Sequence, residues 1–148
     1  MQSRPDGAGP SVNSAQIHAG RVLVEMLRSR YGIAASNCVT HAQVSVNPRN
    51  LRVSYHTDWA EGFPFRSLGL PDNYAHSPAS VLLFGFDADS FAGGSGVGRG
   101  MLAAETQLRR EALSRRLPLA QYRRVLRSRW RETLSALESH GSEKEKEL

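Results

Sequence analysis

Residues 13–41, NSAQIHAGRVLVEMLRSRYGIAASNCVTH, decide how this chain is read, because they set one element with clear boundaries against whatever follows it. Asn13 stands three residues before Gln16, the pairing of a capping box, in which each side chain satisfies a backbone N–H left without a partner at a helix start. Ile17, Leu23, Val24, Leu27 and Tyr31 then recur near helical spacing, and Gly32 readily takes the left-handed conformation that ends a helix. A helix over 13–31 is the expectation. Beyond Ile33, the run Asn37-Cys38-Val39-Thr40-His41 is short and partly β-branched, and it reads as a strand with His41 at its end. A helix followed tightly by a strand predicts an α/β layered fold.

Downstream, residues 42–79 carry Pro48, Pro64, Pro71 and Pro78 and offer no long periodic segment, although Val53 to Tyr55 suits a short extended piece. Tyr55, Trp59, Phe63, Phe65 and Tyr74 are too many aromatics for disorder and predict an ordered loop packed on the domain. The apolar run Ser80 to Phe86, SVLLFGF, reads as a strand or an extended edge segment between Pro78 and Asp87. Gly93 to Gly100, GGSGVGRG, reads as a flexible connector; it lacks the Lys-Ser/Thr ending of a phosphate-binding loop. Two helices are expected over 101–116 and 119–139, broken at Pro118, with Leu119, Tyr122, Leu126, Trp130, Leu134 and Leu137 on one stripe of the second. The expected organisation is a lead-in over 1–12, a domain over 13–92, a Gly-rich linker over 93–100, an arginine-rich helical hairpin over 101–140 and a charged tail over 141–148.

With 148 residues, 40% of them hydrophobic, the chain suits one modest globular domain. No stretch approaches the roughly 20 apolar residues a membrane span needs, and the first residues, with Pro5, Gly7, Gly9 and Pro10, do not form an apolar signal core. The chain therefore reads as soluble, without an export signal of its own. Cys38 is the only cysteine, which excludes an intramolecular disulfide and a four-cysteine zinc cluster. The net charge is +5, and nine arginines lie between Met101 and Arg131 against Glu105 and Glu111. The simplest reading of that excess is a solvated helix face; binding of an anionic polymer such as nucleic acid is the alternative.

The chemistry concentrates in His41 to Phe65, HAQVSVNPRNLRVSYHTDWAEGFPF. Imidazole and carboxylate are the ligand types zinc prefers in a catalytic site, and His41, His56 and Asp58 supply two of one and one of the other. In extended backbone, His56 and Asp58 project to the same side and can converge on one site. Cys38 and His41, three apart, would face opposite sides of a strand, which argues against a thiolate co-ligand.

Tyr31-Gly32-Ile33 after a helix, Val39-Thr40-His41, Asn47-Pro48, Asp58 and then Phe63-Pro64-Phe65 follow one another in an order that resembles the carboxyl-terminal part of the zinc amidase family. That family includes bacterial N-acetylmuramoyl-L-alanine amidases and the peptidoglycan recognition proteins. The resemblance covers residues 13–70. It implies an incomplete amidase-like α/β sheet with a packed helix, followed here by the helical hairpin. It implies Zn2+ held by His41 and Asp58, with His56 in the position of a residue that stabilises the transition state. Zinc so held polarises the lactyl amide carbonyl and lowers the pKa of its bound water towards 7, opening the amide to attack. The implied activity is hydrolysis of the bond between N-acetylmuramic acid and L-alanine, the implied partner is peptidoglycan or a muropeptide, and the implied location is cell wall or periplasm. Trp59, Phe63 and Phe65 are candidates to line the substrate groove, against the simpler reading that they pin the loop to the core. The family carries a further histidine ligand on strands before the helix, and residues 1–12 hold no histidine. A non-catalytic peptidoglycan-binding form is therefore the first alternative, and a basic nucleic-acid-binding helical module the second.

Overall fold

The computed structural model describes residues 11–146. Helix α1, Ser14–Tyr31, starts where the capping box predicts: the Asn13 side chain accepts from the Gln16 N–H at 2.9 Å, and Gln16 reciprocates on the Asn13 N–H at 2.9 Å. Gly32, at φ 64°, ends it and donates its N–H to the Arg28 carbonyl. Ile17 and Val24 rest on the core, and Gly20 sits so close to Leu68 that an added Cβ would lie 3.0 Å from its Cδ2. No residue of α1 is fully buried.

The strand expected over 37–41 is absent. A 3₁₀ turn at Ala35–Asn37 leads instead into a short helix, α2, His41–Val44. The cause is a second reach-back: Gln43 Oε1 accepts the Thr40 N–H at 2.9 Å and its hydroxyl at 3.2 Å, so local side-chain bonding at a helix start outweighs the β-branched preference of Val39 and Thr40. His41 is thus the first residue of a helix, not the last of a strand.

Ser80–Phe86 is likewise not a strand. Helix α3, Ala79–Phe84, lies between Pro78 at its start and Gly85, at φ 66°, at its end. An apolar run this short has no period to separate a buried strand from a buried helical turn, and the Pro and Gly at its borders favour the helix. Among the described residues the strands are β1, Arg52–Val53, and β2, Asp87–Ala88, paired in parallel with Arg52 opposite Asp87, while Val46 makes one antiparallel bridge to Val53. With 63% helix and 4% strand, the molecule is a helical protein, and the α/β amidase-like sheet is overturned.

Helix α4, Val97–Ser114, begins inside the stretch expected to be a Gly-rich linker. A Cβ on Gly98 would lie 2.4 Å from the Ala92 carbonyl oxygen, and one on Gly100 would lie 2.2 Å from that of His76. Those glycines let backbone meet backbone rather than loosen the chain. After Pro118, helix α5, Leu119–Lys146, returns alongside α4 and α3 as the second arm of the expected hairpin. Tyr122 and Leu126 enter the core and Trp130 packs on its edge against Phe84 and Phe86, but Leu134 and Leu137 stay exposed. Phe86, Leu108, Leu126, Val53, Val81 and Val97 are the largest apolar side chains fully withdrawn from solvent. They come from β1, α3 and its exit, α4 and α5, so the hairpin shares one core with the residues before it. Among the described residues, no helix is long and apolar enough to cross a membrane.

Several arginines of the hairpin serve this packing. Arg123 pairs with Glu105 and, at 3.2 Å, with Asp87; Arg127 meets Asp87 at 3.4 Å and lies over the Phe86 ring; Arg115 lies over the Tyr122 ring. The arginine excess available to an anionic polymer is smaller than the sequence count.

Candidate metal centre

Three side chains expected to converge do so. His41 Nδ1 lies 2.9 Å from Asp58 Oδ2 and 3.2 Å from Oδ1, and the His56 ring stacks on that of His41 with centroids 4.6 Å apart and planes 22° from parallel. One ligand atom from each of the three falls within 4.8 Å of the others. The convergence was expected from extended backbone at 56–58, but a loop produces it.

That loop is shaped by two residues in the left-handed region, Ser54 at φ 68° and Trp59 at φ 55°. Such conformations in non-glycine residues each cost on the order of 1–3 kcal/mol and persist where the surroundings enforce them. Ser54 is enforced by burial: it is fully buried, its N–H is donated to the Ser45 carbonyl at 2.9 Å, and its Oγ has no hydrogen-bond partner among the described residues. Two residues on, the His56 N–H is donated to Ser45 Oγ at 3.0 Å. Ser45 closes α2, so one residue anchors the His56 backbone to the helix that begins with His41.

The other half of the site is held from below by Asn73. Its Nδ2 donates to the carbonyls of Ala35 and Cys38, both at 2.8 Å, and its own carbonyl accepts from Gln43 Nε2 at 2.7 Å. Asn73 and Gln43 are both buried. Together they fix the turn before α2 and the helix itself, and therefore the direction of His41. Sequence reasoning passed over Gln43, although its spacing from Thr40 repeats the Asn13–Gln16 pattern; Asn73, more than 30 positions from the carbonyls it holds, carried no local signal.

Asp58 is held below the usual carboxylate range, first by the hydrogen bond from His41, then by a backbone bond and the positive character of the two histidines, against a partial burial that acts the other way. His41 and Asp58 are each about half exposed, at 53% and 51% of their side chains. An ion pair so open to water contributes little to stability.

The three side chains could hold a metal ion. Bonds of 2.0–2.2 Å in tetrahedral geometry set neighbouring ligand atoms about 3.3 Å apart, close to the His41–Asp58 separations, while one ligand atom of each residue, His56 included, lies within 4.8 Å of the others. Cys38 stays outside the group, with its thiol 3.8 Å from the Ala34 carbonyl.

Trp59, Phe63, Phe65 and Tyr74 form an edge-to-face ladder with centroid steps of 5.2, 4.8 and 5.2 Å. Tyr74 ties the loop down further, donating its hydroxyl to the Trp59 carbonyl at 2.8 Å and accepting the Phe63 N–H at 3.0 Å. Phe65 is 3% exposed and belongs mainly to the core. Phe63 and Phe65 also border an open cleft of about 340 Å³ with Arg66, Asp72 and Tyr74, and Trp59 is not among its lining residues.

No protein-family model, curated protein or solved structure matches this chain.

Proposed function

We propose that this chain carries the zinc-binding residues of a hydrolase acting on the amide bond between N-acetylmuramic acid and L-alanine in peptidoglycan, and so works at the cell wall. One observation carries the reading: His41 and Asp58, 17 positions apart and on different elements, meet at 2.9 Å with the residue types and order of the amidase resemblance. The helical surroundings lend no support, so the reading rests on the site alone.

Zinc at His41 and Asp58 would supply Lewis-acid polarisation of the scissile carbonyl and a water ionised near neutral pH. The depressed acidity range of Asp58 keeps its carboxylate ionised, and ready to ligate, throughout the neutral range. Asn73 and Gln43 hold the turn and the short helix that carry His41, limiting the rearrangement needed to present its Nδ1. The cleft bordered by Phe63, Phe65 and Tyr74 offers apolar faces for a sugar ring or stem peptide, with Arg66 beside it for a stem carboxylate.

A second reading, binding of peptidoglycan without cleavage, is favoured by the count of family-like ligand positions, which is two, and by the exposure of the group. Incubation of purified peptidoglycan with the zinc-loaded chain separates the two. Cleavage liberates stem peptides with a free L-alanine amine, is stopped by a chelator and is lost in His41→Ala. Retention of muropeptides with no new amine supports the second reading, and neither retention nor cleavage refutes both.

A further inference from the structure

We propose that His56 is the third metal ligand, so that residues of this chain alone complete a two-histidine, one-carboxylate set. The inference rests on the metal-binding reading of His41 and Asp58. It changes the part of His56 from the oxyanion stabiliser that the resemblance implies to a group that binds the ion directly.

The His41 and His56 rings lie against each other, centroids 4.6 Å apart and planes 22° from parallel. A metal bound by both would lie in the plane of each ring, so binding turns at least one ring out of this stack.

The donor atoms carry the inference. A nitrogen of His56, one of His41 and an oxygen of Asp58 already lie within 4.8 Å of one another, and side-chain torsions alone can shorten that to ligand spacing. His56 is free to make the adjustment, because the Ser45 bond holds its backbone N–H and leaves its ring exposed. Tyr55 meets the His56 ring edge-on, with centroids 4.9 Å apart.

Chemically, two imidazoles and one carboxylate bind Zn2+, Co2+ and Fe2+ alike and leave at least one position for water. The set is that of an ion that does chemistry rather than one that staples a fold. Its exposure agrees, since closed structural sites surround the ion with protein ligands.

The test uses the full chain, Zn2+ affinity by competition with a chromophoric chelator, and zinc-edge X-ray absorption to count imidazoles. Wild type is expected to bind one zinc with two imidazoles in the first shell. His56→Ala should weaken binding by more than the 10–100-fold that loss of a supporting residue causes, and should leave one imidazole. His56→Asp, which keeps a ligand, should recover most of the affinity, whereas His56→Asn should not. Circular dichroism checks that each variant folds. One imidazole in wild type, or affinity in His56→Ala within tenfold of wild type, overturns the inference while the His41–Asp58 reading stands. Absence of stoichiometric zinc in wild type refutes both.

Discussion

Replacement of Asn73 by Ala tests whether the buried amide, and not the histidines themselves, sets the direction of His41. Asn73 is 4% exposed and its Nδ2 makes two bonds of 2.8 Å, to the carbonyls of Ala35 and Cys38. Each neutral hydrogen bond contributes about 1 kcal/mol net, and a buried carbonyl left without a partner costs about 1–3 kcal/mol. Two carbonyls lose their donor in Asn73→Ala, and a small void follows, but Ala35 and Cys38 are only partly buried and water can reach part of the gap. The expected destabilisation is therefore about 2–4 kcal/mol, measured as a shift in urea midpoint at unchanged slope. The Gln43 bond to the residue 73 carbonyl is a backbone contact and survives the change. With the turn before α2 loosened, zinc affinity should fall by about 10–100-fold, the loss typical of a residue that orients a ligand. A variant less than 0.5 kcal/mol below wild type, with zinc affinity unchanged, would show that α2 is held by other contacts and that the positioning argument is wrong.

Asp58 supplies a pH test. Its acidity range is lowered in the folded protein, so its contribution to stability is present above 3.8, the unperturbed value, and is lost as pH falls through the lower folded value. Carboxyl carbon NMR on the metal-free protein should show Asp58 titrating below 3.8, and in His41→Ala the midpoint should rise towards 3.8. Gly100→Ala drives a Cβ to 2.2 Å from the His76 carbonyl oxygen, a backbone atom that cannot swing away, and should cost about 1–3 kcal/mol by thermal or urea unfolding. Leu108→Ala, fully buried on α4, should cost about 2–5 kcal/mol, whereas Leu137→Ala, 62% exposed on α5, should stay within about 0.5 kcal/mol of wild type in the same assay.

Much of the helical architecture was legible because its signals are local. Asn13, Gln16 and Gly32 mark both ends of α1 within a few residues of chain, and Pro118 divides α4 from α5 in the same way. Both failures of fold class came from short runs. Val39-Thr40 and Ser80–Phe86 carry strand-like composition over too few residues for a period to show, and in each case the border decided the outcome: Gln43 reaching back to Thr40, Pro78 and Gly85 bracketing α3. Gly98 and Gly100 read as a linker because a glycine that admits a neighbouring backbone and one that loosens the chain look identical in sequence. At the site, spacing and ligand type found His41, His56 and Asp58, since metal-binding residues are rare and chemically distinct. The groups that aim them, Asn73 and Ser45, are ordinary polar residues whose roles depend on contacts across the fold.

The proposed hydrolysis depends on His41 and Asp58 gripping one cation. Crystals grown with zinc, measured at the zinc absorption edge, test this most directly. The prediction is a single anomalous peak within about 2.0–2.2 Å of His41 Nδ1 and of an Asp58 carboxylate oxygen. A direct His41–Asp58 hydrogen bond intact at saturating zinc, with no anomalous peak beside it, would contradict the account.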